Sequence, residues 1–130
     1  MAVSAANSSI TALNTPAAIT KNAATADTDA LAEVFTIIPT KSDGRLIIII
    51  GGTGFDADDN ITYSIAAGVS VFAGTALTGT ITKNTEKAIQ VETGKVLSAA
   101  GTILLTLTPA ATDRLLTNHA AYVKVIESYI

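Results

Sequence analysis

The sequence predicts an all-β protein: a single-domain antiparallel β-sandwich or β-barrel of about 7–8 strands with an extended N-terminal arm. Three observations predict it. Short segments alternate apolar and polar residues with a period of two, as in "ITYSIA" (61–66) and "TILLTLT" (102–108). β-branched residues dominate those segments, and Gly, Asn and Pro sit between them. No segment carries the 3.6-residue periodicity of a long amphipathic helix.

The elements follow in order. Residues 1–30, "MAVSAANSSITALNTPAAITKNAATADTDA", are small, polar and alanine-rich with no sustained periodicity. They read as an extended arm, ordered only where something holds it, with Ile10, Leu13 and Ile19 as anchors for a short strand. Residues 31–130 form the β domain. "LAEVFTII" (31–38) is a strand that stops at Pro39, and Asp43-Gly44 is a hairpin signal between it and "RLIIII" (45–50). That second run is apolar on both faces, as in a central strand covered on both sides. "ITYSIA" sets Ile61, Tyr63 and Ile65 on one face. "TALTGTIT" (75–82) sets Leu77, Gly79 and Ile81 against threonines. "EKAIQVE" (86–92) sets Ile89 and Val91 against Gln90 and Glu92, and Thr93-Gly94 and Ala100-Gly101 mark turns. "TILLTLT" ends at Pro109, "ATDRLLTNH" (111–119) is a loop or a single helical turn, and "AAYVKVIESYI" (120–130) is the last strand.

Composition narrows the function. The 130 residues suffice for one domain with a real core. Charged residues are only 15 %, mean hydropathy is +0.46, and Ala and Thr make roughly a third of the chain. Such a surface suits coverage in an assembly. The net charge of −3 is spread thinly, without the basic stripe that nucleic-acid binding requires. The chain has no Cys, hence no disulfide framework, thiolate nucleophile or Cys-ligated zinc. "MAVSAANSSITALN" has neither the basic region nor the apolar region of a secretory signal, and "LIIII" is too short to span a bilayer. Neither a membrane nor a nucleic acid is an expected partner.

Four motifs could carry chemistry. "GTGFDA" (52–57) spells G-x-G-x-x-A, the dinucleotide fingerprint. That motif needs a helix whose N-terminus meets pyrophosphate, but here acidic residues follow and then a strand. The glycines read instead as a wide hairpin loop in which they supply positive φ. Asp56, Asp58 and Asn60 match the opening of a calcium loop, yet position 61 is Ile rather than Gly and position 67 is Ala rather than Glu. An EF-hand is excluded. A looser calcium site of Asp56, Asp58, Asp59 and Asn60 is the only metal candidate. His119 is the only histidine, and no G-x-S-x-G elbow accompanies it. Glu33, Glu86, Glu92 and Glu127 stand singly rather than as a glycosidase pair. The reading is a non-enzyme without a cofactor.

The segments "FTIIPTKSDGRLIIII", "ITYSIAAGVSVFAGTALTGTITKNTEKAIQVETGKV", "GTILLTLTPA" and "LLTNHAAYVKVIE" together resemble a group of small tailed-bacteriophage structural proteins, the capsid decoration (head-stabilising) proteins. The likeness covers roughly residues 31–130 and is one of overall pattern. It implies a β-sandwich or β-barrel module on the capsid exterior of the virion, made in the bacterial host cytoplasm. The major capsid protein would be its partner, and it would associate with itself as a homotrimer. It implies no catalytic residues. The alternatives are another virion or surface-filament subunit (tail tube, fibre) assembling by strand exchange, and a calcium- or carbohydrate-binding β module using residues 56–60.

Overall fold

A computed structural model of the chain describes residues 3–4, 7–9, 13–19, 23–24, 33–53, 60–69, 74–82, 85–109 and 120–128. In chain order its strands are β1 (Val3–Ser4), β2 (Asn7–Ser9), β3 (Ala17–Ile19), β4 (Ala23–Ala24), β5 (Glu33–Ile38) and β6 (Arg45–Thr53). They continue with β7 (Ile61–Ile65), β8 (Leu77–Ile81), β9 (Glu86–Glu92), β10 (Ile103–Pro109) and β11 (Ala120–Ser128). One short helix, α1 (Thr93–Val96), lies between β9 and β10.

The strands build an all-β sandwich. One sheet has the order β2-β5-β10-β7-β8 and the other β3-β11-β6-β9, with β1 and β4 as a separate ribbon. All pairings are antiparallel except β2 on β5, which is parallel. The period-two pattern explains which face each strand buries. Phe35 and Ile37, Ile103, Leu105 and Leu107, and Ile61, Tyr63 and Ile65 point inward from the first sheet. Leu46, Ile48 and Ile50, Val123 and Val125, and Val91 meet them from the second. Each such aliphatic side chain contributes about 1.5–3 kcal/mol by leaving water.

Two stretches of the 1–30 segment pair with this sandwich. β2 lies beside β5, β3 lies beside β11, and Ile19 is buried in the core. Ahead of β3 the chain turns at Asn14, whose φ of 57° is left-handed, and the Asn14 N–H donates to the Glu127 carbonyl at 2.7 Å. Asn tolerates that region better than most residues.

The connections differ from the expectation. Asp43-Gly44 does not close a hairpin: β5 pairs with β2 and β10, and β6 pairs with β11 and β9. The 39–44 segment instead crosses between sheets. Six residues easily span the ~10 Å between packed sheets. An Asp-Gly pair reports only local turn preference and cannot name the strand's partner. Likewise β6 and β7 lie in different sheets, so the glycine cluster is no hairpin loop. Gly51 and Gly52 belong to β6 itself, which runs on to Thr53. Among the described residues the one glycine with positive φ is Gly101, at 77°. It closes the expected turn before β10, where Gly101 N–H donates to the Ser98 carbonyl at 3.0 Å. Thr93-Gly94, read as a turn, opens α1.

β6 is central, as its composition suggests, but the opposite sheet covers only one of its faces. Ile47 and Ile49 on the outer face are half-buried. Their shelter is their cross-strand neighbours: Ile126 and Gln90 flank Ile47, and Lys124 and Ala88 flank Ile49.

Candidate functional site

The two outer faces of the sandwich differ in chemistry. On the five-stranded sheet, alternation turns Val34 and Ile38 of β5, Leu104, Thr106 and Thr108 of β10, Thr62 and Ser64 of β7, and Thr78 and Thr80 of β8 away from the core. None of these is ionisable. Register sets them in rows across the strands: Val34, Thr106, Ser64 and Thr78 form one, and Thr108, Thr62 and Thr80 the next. Within the second row the Thr62 hydroxyl donates to the Thr108 carbonyl at 3.2 Å. Leu104 is 39 % exposed in the midst of this hydroxyl-rich surface.

The outer face of the four-stranded sheet carries Arg45, Glu86, Glu92, Lys124 and Tyr122. One row explains a glycine. Tyr122, Gly51 and Glu86 lie side by side on β11, β6 and β9. The tyrosine ring lies across the glycine, where a Cβ would come within 2.6 Å of its Oη, and the hydroxyl donates to the Glu86 carboxylate. Lys124 Nζ stands 5.2 Å from the ring centroid. The same device recurs inside the sandwich, where Tyr63 of β7 covers its cross-strand partner Gly79 of β8. An aromatic ring over an unsubstituted backbone restores the cover that glycine lacks.

The Glu86 hydrogen bond, then desolvation and the charge of Glu86, raise the Tyr122 pKa above its ordinary 10.0. A raised pKa means that the folded state favours neutral tyrosine. The contribution is therefore complete below the unfolded value and disappears as pH climbs through the folded one. We expect the thermal midpoint of the wild type to fall further between about pH 9 and about pH 11 than that of Tyr122→Phe. Equal slopes in paired melts would show that the bond carries no such linkage.

Of the residues singled out in the sequence, Asn60 is exposed immediately before β7. Asp56, Asp58 and Asp59 lie outside the described residues, as does His119. Among the described residues no group of three or more His, Cys, Asp or Glu could hold a metal ion, and no helix is long and apolar enough to cross a membrane. The solitary glutamates have separate fates. Glu86 holds Tyr122, and Glu92 lies 3.6 Å from Lys95 on the surface. Glu127 is fully buried and binds the 39–44 crossing. Its parity with Val123 and Val125 on β11 is the signal in the sequence that places it inward.

The chain matches no protein-family model, no curated protein and no solved structure.

Proposed function

We propose that the chain is a virion structural protein of a tailed bacteriophage, which decorates and stabilises the capsid exterior by binding the major capsid protein lattice. The observation that carries this reading is the charge-free outer face of the five-stranded sheet, added to the resemblance in sequence pattern. Protein interfaces are depleted of charge at their centres. Covering threonine hydroxyls and aliphatic side chains costs far less than stripping water from ions, and hydroxyls can re-form hydrogen bonds with a partner. A broad neutral sheet face therefore suits a repeating protein surface, where many weak contacts act together. The mechanism is associative: a protein that binds the expanded shell better than the precursor shell shifts the equilibrium toward the expanded one.

The test is co-sedimentation with expanded and precursor capsids built from the major capsid protein encoded with it. Saturable binding that favours expanded capsids is the expected result. Thr62→Lys combined with Thr106→Lys places two charges in the middle of the face, and should weaken that binding by about tenfold or more. Failure to bind capsids would overturn the reading, and unchanged binding by the double variant would remove the face from it. Filaments formed by the purified protein alone would favour the tail-tube or surface-filament alternative.

A further inference from the structure

The five-stranded sheet ends in β2 on one side and β8 on the other, and β8 is the longer of these edges. Among the described residues β8 pairs with β7 on one side and with nothing on the other. Natural edge strands are commonly blunted by charge, proline or an inward-pointing lysine. β9, the corresponding edge of the other sheet, follows that practice. Lys87 occupies an inward register position opposite Ile50, with its Nζ 5.4 Å from the Tyr63 ring centroid. Glu86 and Glu92 stand near the two ends of the same strand. β8 has none of these devices: from Thr75 to Thr82 the sequence "TALTGTIT" holds no charge and no proline. Leu77 takes an inward register position opposite Ile65 and is nevertheless 43 % exposed, with no further strand beyond it among the described residues.

We infer that β8 pairs antiparallel with β8 of a second copy about a two-fold axis through Gly79. The strand reads "LTGTI", the same pattern of residue classes from either end. Antiparallel pairing centred on Gly79 sets Leu77 opposite Ile81 of the second copy, Thr78 opposite its Thr80, and glycine opposite glycine. Directly opposed residues share a face, so both apolar pairs extend the cores and both threonine pairs extend the neutral outer faces. The contact is isologous, as a two-fold interface must be. The other long edge fails this criterion: β9 centred on Ile89 would set Glu86 against Glu92 at both ends, and the remaining edges β2 and β3 are only three residues each. The β8 contact joins two five-stranded sheets into one continuous sheet, and it makes copies self-associate in pairs rather than about the three-fold axis that the resemblance implies. It stands independently of capsid binding. A five-residue edge buries less than a standard interface, so the dimer is concentration-dependent.

Sedimentation equilibrium between about 10 µM and about 1 mM tests it. The wild type should pass from monomer to dimer. Thr78→Lys with Thr80→Lys opposes two lysine pairs across the axis and should weaken dimerisation by tenfold or more. Thr78→Lys with Thr80→Glu opposes lysine to glutamate twice and should restore it. Both positions are exposed on the outer face, and circular dichroism confirms that each variant folds. Should a charged variant fail to fold, Thr78→Cys with Thr80→Cys supplies a second reading. The chain has no native cysteine, so oxidation should yield a covalent dimer. A wild type that stays monomeric at about 1 mM, a trimer, or a dimer indifferent to both charge variants overturns the proposal.

Discussion

Replacing Glu127 with alanine should lower the free energy of unfolding by about 3–5 kcal/mol, a large share of the ~5–15 kcal/mol that stabilises a domain. Glu127 sits at an inward position near the end of β11 and is fully buried. Its carboxylate accepts the Thr40 N–H at 3.0 and 2.9 Å, the Lys41 N–H at 3.2 Å, and the Thr40 hydroxyl. These donors belong to the segment that leaves one sheet and enters the other. Alanine removes hydrogen bonds from two backbone N–H groups of an exposed turn to a carboxylate, worth about 1.5–3 kcal/mol each, and leaves a small cavity at a fully buried position. Glu127→Gln keeps one acceptor oxygen but turns an amide NH₂ toward N–H donors, so it should cost about half as much. Urea unfolding checks both as a shift in midpoint at unchanged slope. Hydrogen exchange should show faster opening at the Thr40 and Lys41 amides than at the β10 amides. A loss below about 1 kcal/mol for the alanine variant would mean that the turn finds other acceptors.

That residue also marks what the sequence can and cannot disclose. Strands β5 to β11 are legible because alternation is a local property: Ile61, Tyr63 and Ile65 share a face whatever pairs with them. Pairing is not local. The Asp43-Gly44 signal is correct about a change of direction and silent about which sheet receives the chain, so the expected hairpin becomes a crossing. Glu127 reads as a stray carboxylate until Thr40, 87 residues away, is brought beside it. Gly51 and Gly79 look like turn glycines or weak strand positions until their cross-strand tyrosines are known. The uncharged face is implicit in the threonines of "TILLTLT" and "TALTGTIT", but it becomes one surface only when register aligns β10, β7 and β8. That β8 stands at an edge follows from topology alone.

Gly68→Ala should destabilise the protein by about 2–3 kcal/mol, while Gly74→Ala stays within about 0.5 kcal/mol of the wild type. Both glycines lie in the connection from β7 to β8, so intrinsic chain flexibility does not separate them. Packing does. Gly68 follows β7 and docks on the chain that leaves α1: its N–H donates to the Lys95 carbonyl at 2.8 Å, and the Val69 N–H donates to the Leu97 carbonyl at 3.3 Å. A Cβ on Gly68 would lie 2.8 Å from the Leu97 oxygen, 2.9 Å from the Leu97 nitrogen and 2.9 Å from the Lys95 oxygen. All three are backbone atoms, so no change of rotamer relieves the overlap. Either the hydrogen-bonded pair of segments separates or Val96, buried in the core between Lys95 and Leu97, shifts with them. At Gly74 a Cβ meets nothing within 4 Å. Gly101→Ala completes the comparison: space is open there too, but φ is +77°, so a side chain costs about 1–2 kcal/mol through the backbone alone. The three substitutions thus isolate contact, neither, and conformation. If Gly68→Ala were as silent as Gly74→Ala in urea unfolding, the 66–69 segment would not be held against the end of α1. The route by which the core fixes the start of the β7–β8 hairpin, and with it the position of the β8 edge, would then be lost.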